Sequence, residues 1–111
     1  MTKEEFRKLA EQTLILDGAT GSNLMASGMP RGICTETWVI DHKDIIQNLQ
    51  RAYIKAGSQV IYAPTFGGNR LNLEKHGLAD RIEEINRTLV GYSKELAGNG
   101  VYVAGDITTS G

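Results

Sequence analysis

The sequence predicts an α/β protein with parallel strands, on three observations. Residues 14–18, 60–63 and 101–106 are short apolar runs without polar alternation, each ending at Gly, Pro or Asp. That is the pattern of strands buried on both faces. Around them run stretches with apolar residues three and four positions apart, the helical period. Strands separated by helices cannot be hairpins; they need crossovers and so pair in parallel.

In chain order, Thr2-x-x-Glu5 has capping-box spacing, with Phe6, Leu9 and Ala10 on one helical face. Leu14-Ile15-Leu16-Asp17-Gly18 is the first expected strand. Residues 19–37, rich in Gly, Ser, Met and Pro, read as one long loop. Asp41 or His42 opens a helix whose apolar face is Ile45, Ile46, Leu49, Tyr53 and Ala56, and Gly57 stops it. Val60-Ile61-Tyr62-Ala63 is the second strand. Asn69 caps a short helix to Lys75, closed by Gly77. Ile82, Ile85, Leu89, Tyr92 and Leu96 mark a longer helix, with Gly91 inside it and Gly98-Asn99-Gly100 after it. Residues 101–106 form the third strand.

No covering helix follows that strand. A buried parallel strand left so has an open face and edge. The expectation is therefore a partial (β/α)8 TIM barrel. Residues 1–111 would supply its first three parallel strands and intervening helices, as the N-terminal portion of a domain of about 250 residues. A small complete three-strand domain is the alternative.

Composition narrows the function. The 111 residues carry 12 Lys+Arg and 13 Asp+Glu, a net charge of −1. Nucleic-acid and anionic-membrane surfaces need clustered excess base, so neither is expected. No apolar run approaches the roughly 18 residues of a membrane span. The acidic start lacks the apolar core of a secretory signal. Cys34 is the one cysteine, which excludes an internal disulfide and suits a reducing, cytoplasmic location. It also excludes a zinc site built from several cysteines of this chain.

In parallel α/β folds, chemistry sits at the carboxyl ends of strands. Asp17 with Gly18, Thr65 and Asp106 fall there, so one rim is expected to hold a ligand. The alternative is that Asp17 and Asp106 cap nearby N–H groups. The Gly-rich pieces match no phosphate-loop spacing, and Gly67-Gly68 reads as room for a close approach or tight turn. Cys34 reads as a bystander thiol, His42 and His76 as helix-end residues, Trp38 and Tyr53 as packing, and Glu83-Glu84 as a solvated face.

Leu14-Ile15-Leu16-Asp17-Gly18-Ala19-Thr20-Gly21-Ser22 resembles the first-strand L-D-G-x-x-G-T signature of the homocysteine S-methyltransferase family. Residues 56–66, AGSQVIYAPTF, resemble the family's second strand, and Val103-Ala104-Gly105-Asp106-Ile107 its third. Asn69-Arg70 and Gly77-Leu78 fall in matching places. The loop with Pro30 and Glu36-Thr37-Trp38, together with residues 62–66, is similar to the family's cobalamin-dependent branch, in its N-terminal homocysteine-binding barrel.

The resemblance implies a (β/α)8 barrel that transfers a methyl group to homocysteine, giving methionine. It implies a zinc ion, held by three cysteines, that activates the substrate thiol, and methylcobalamin as donor. Betaine or S-methylmethionine is the alternative donor, and a non-catalytic binding or assembly domain is the competing class. Asp17 and Gly18 match positions that hold the amino-acid end of homocysteine, Thr65 matches a pocket Thr, and Asp106 takes no role. Ser22, Tyr62, Pro64 and Thr108-Thr109 depart from the family pattern. The zinc cysteines lie on later strands, and Cys34 matches none of them. This chain alone is therefore expected to hold no ligand for zinc or cobalamin, no catalytic residue and no activity. Its implied partners are the rest of the barrel and folate and corrinoid modules. Its open edges predict self-association.

Overall fold

A computed structural model describes residues 2–11 and 14–108. Thr109 lies outside the described residues, as do the side chains of Leu9 and Ala10.

The chain opens with α1 (Lys3–Ala10), closed as its spacing predicts. Glu5 N–H donates to Thr2 Oγ1 at 3.0 Å and Thr2 N–H donates to Glu5 Oε2 at 2.8 Å. Next come α2 (Gly21–Ala26), α3 (Thr35–Asp41), α4 (Lys43–Lys55) and β1 (Val60–Tyr62). Then follow α5 (Arg70–Lys75), a 3-10 turn over Ala79–Arg81, α6 (Ile82–Ala97) and β2 (Tyr102–Ala104). The result is a mixed α/β arrangement around a two-stranded parallel sheet, with Val60, Ile61 and Tyr62 opposite Tyr102, Val103 and Ala104.

The first expected strand is shorter than predicted. Residues 14–18 form a single parallel bridge, Leu16 to Val60, on the other side of β1 from β2. Gln59 N–H donates to Ile15 O at 2.7 Å. Beyond the bridge, side chains take over: Ser58 Oγ donates to Leu16 O at 3.1 Å, and Tyr62 N–H donates to Asp17 Oδ2 at 3.0 Å. The ladder stops because the Asp17 carboxylate takes the N–H that its carbonyl would have taken.

The single long loop is also corrected. Residues 19–37 hold all of α2 and the start of α3. Tertiary burial of Leu24 and Val39, each 0% exposed, overrides weak local propensity there. Because α3 runs through Asp41, the next helix starts at Lys43 with His42 between the two.

The core lies among the helices: Leu24, Val39, Ile46, Leu73, Ile85 and Leu89. A buried polar seam joins it to the sheet. Gln50 Nε2 donates to Tyr62 O, and Ser93 Oγ donates to Gln50 Oε1, both at 3.1 Å.

Candidate functional site at the carboxyl edge

Past the carboxyl end of the sheet lies a cavity of about 400 Å³, whose lining includes Asp17, Gly18, Glu36, Tyr62, Phe66 and Asp106. The strand ends deliver these groups: Asp17 follows the bridge, Tyr62 ends β1 and Asp106 follows β2. A larger opening of about 730 Å³ lies over the sheet, with apolar lining from Phe6, Leu14, Leu16 and Val60. Lys94 is its one charged lining side chain among the described residues. The polar groups that could orient a small ligand are therefore at the carboxyl edge, not in the larger opening.

Asp17 is both a cap and a rim residue. Its carboxylate accepts from Tyr62 N–H while lining the cavity. Burial pushes its pKa up from the ordinary value, the Tyr62 N–H pulls it back, and the nearby Asp106 charge raises it further.

Gly18 is held to glycine by a neighbour far along the chain. A Cβ there would lie 2.9 Å from Tyr53 Cε1 and 3.0 Å from its hydroxyl oxygen. That hydroxyl donates to Ala19 O at 2.6 Å, so Tyr53 latches the start of the loop as well as packing.

Thr65 lies beside the cavity that Asp17 and Gly18 line, between its lining residues Pro64 and Phe66. It is buried and lines a neighbouring cavity of about 250 Å³ together with Asp106. Its hydroxyl donates to Asp106 O and accepts from Asp106 N–H, both at 3.0 Å. It ties the end of β1 to the end of β2, and Phe66 and Asp106 line both cavities.

Glu36 carries no role in the sequence reading. In α3 it is 4% exposed, accepts from Gly67 N–H at 2.7 Å, and faces Cys34 Sγ at 3.5 Å. The signal for it is slight: an acid in a helix's first turn, with nothing in the periodicity to turn it inward. Cys34 is buried against it. His42 stacks on Trp38 with ring centroids 3.8 Å apart, and His76 ends α5. Glu83 and Glu84 form exposed pairs with Arg87 and Arg81.

Among the described residues, no three His, Cys, Asp or Glu side chains cluster as metal ligands. With one thiol turned to a carboxylate, the residues present do not fit a three-cysteine zinc site.

Parallel strands with a cavity at their carboxyl ends define an α/β protein. The family described as homocysteine S-methyltransferase matches residues 14–111, and the chain belongs to that family. It is similar to the methionine synthase of Mycobacterium tuberculosis, 28% identical over 95 residues, which cover 80% of this chain and 8% of that protein. The methionine synthase of Mycobacterium leprae is 29% identical over 85 residues, covering 71% and 7%. The S-methylmethionine–homocysteine S-methyltransferase BHMT2 of Pongo abelii is 31% identical over 98 residues, covering 86% and 26%. The chain thus spans a small part of the length of the relatives it matches. No helix among the described residues is long and apolar enough to cross a membrane.

Proposed function

We propose that this chain forms the first part of a (β/α)8 barrel that methylates homocysteine to methionine, and that its carboxyl edge receives the amino-acid end of the substrate. One observation carries the reading: in a chain of this family, Asp17, Gly18 and Asp106 converge on one cavity at the strand ends. Asp17 accepts hydrogen bonds from the substrate ammonium. Gly18 offers its backbone at close range, and Thr65 lends its hydroxyl through the Asp106 main chain it holds.

The sheet supports the barrel. β2 has no strand on its outer side among the described residues, and the apolar opening over the sheet suits further strands. No group among the described residues activates the substrate sulfur. That chemistry is assigned to zinc ligands on polypeptide outside residues 1–111, where coordination would hold the thiol as thiolate. The likeness to two methionine synthases favours methylcobalamin as donor, with folate and corrinoid modules as partners, in the cytoplasm. A second donor reading, S-methylmethionine, is favoured by the Pongo abelii relative. By itself the chain is inactive and binds no stoichiometric zinc.

Steady-state methyl transfer by the longer polypeptide tests the site. Asp17→Asn keeps an oxygen for Tyr62 N–H but loses the charge. It should raise the homocysteine KM about tenfold or more, with zinc content unchanged. An unchanged KM contradicts the proposal.

A further inference from the structure

Glu36 is the one charged side chain that is buried among the described residues. A buried carboxylate needs compensation, and this one is spent on the loop that follows β1. Oε1 accepts from Gly67 N–H at 2.7 Å. The rest of that loop is held as tightly. Asn72 Nδ2 donates to Gly67 O and Asn86 Nδ2 donates to Gly68 O, both at 2.7 Å. Gly68 N–H closes back on Thr65 O at 3.0 Å. A Cβ on Gly67 would lie 2.5 Å from Glu36 Oε1 and 2.7 Å from Asn72 Nδ2, so glycine is what lets the clamp close.

Phe66 rides on this loop. It is 61% exposed, so packing does little to hold it, yet it lines the Asp17 cavity. Glu36 lines the same cavity and also the neighbouring one of about 500 Å³ that contains Cys34 and His76. We infer that Glu36 is a positioning residue. By fixing the Gly67 amide it holds Phe66 as a wall of the cavity and so sets the width of the mouth through which the substrate enters. The carboxylate acts through the loop and does not touch the reacting atoms. This inference rests on the homocysteine reading above for its substrate, but not for the clamp itself.

The test compares Glu36→Ala with Glu36→Gln in the longer polypeptide, by hydrogen–deuterium exchange over residues 64–69 and by steady-state kinetics. Gln retains an acceptor for the Gly67 N–H. Glu36→Ala should speed exchange about tenfold and raise the homocysteine KM about tenfold, with kcat within about twofold of wild type. Glu36→Gln should stay within about threefold of wild type in each. Two results overturn the inference: Glu36→Ala that lowers Tm alone, with exchange and KM unmoved, or Glu36→Gln as defective as Glu36→Ala. If the wild-type protein does not methylate homocysteine, the proposed function falls. The exchange comparison then decides the Glu36 clamp alone.

Discussion

At Gly18 a side chain is excluded by a ring that lies 35 positions later in the chain. The sequence shows why a glycine can approach a ligand, but not that Tyr53 leans against this one, because that contact depends on how α4 docks. Gly18→Ala should cost about 1–3 kcal/mol in equilibrium denaturation, since the Tyr53 ring must shift and strain its bond to Ala19 O. In a Tyr53→Ala background the same change should cost under about 0.5 kcal/mol, because the clash is gone. Equal costs in both backgrounds would show that Tyr53 is not the cause. Asp17 was legible as a strand-end acid, and its carboxylate accepts from Tyr62 N–H while lining the cavity. Thr65 was legible by place alone. That its hydroxyl is spent on Asp106, 41 positions away, leaves no local trace. Glu36 was missed for the same reason: its partner Gly67 is 31 positions distant.

Elements set by local rules were legible. Glycines at 57, 77 and 98 adopt φ of +115°, +70° and +62° after α4, α5 and α6, as helix stops require. Asn69 caps α5 by accepting from Asn72 N–H at 2.9 Å. Asn69→Ala should therefore lose about 0.5–2 kcal/mol, read as a lower denaturation midpoint, and Asn69→Asp should recover most of it. No loss in the alanine variant would show that the cap is idle. The elements that were not legible are those made by tertiary packing. α2 begins at a glycine, and its preceding Thr20 makes no side-chain cap bond. It exists because Leu24 is fully buried. The strand at residues 14–18 reads well by composition, but its ladder is cut short by an acid whose side chain competes for the same N–H.

As a whole, the molecule is extended for its size. The Cα radius of gyration is 14.4 Å and the principal extents are 42 × 28 × 22 Å, against roughly 13 Å expected for a compact domain near 100 residues. The parallel order of residues 14–18, β1 and β2 was legible from the alternation of strands and helices. One face of the sheet borders the opening lined by Leu16, Val60 and Tyr62. Leu16 and Tyr62 remain 43% and 36% exposed on that side. Residues 1–111 alone should therefore sediment as a concentration-dependent associating species. A monodisperse monomer with one sharp thermal transition would argue for a finished small domain instead.

The site itself is tested most directly by a crystal structure of the longer polypeptide with homocysteine bound. The account predicts the homocysteine ammonium about 3 Å from the Asp17 carboxylate, or its carboxylate about 3 Å from the Gly18 N–H, with its sulfur directed away from every residue of this segment. Homocysteine seated elsewhere, with the Asp17 carboxylate bonded to Tyr62 alone, would contradict it.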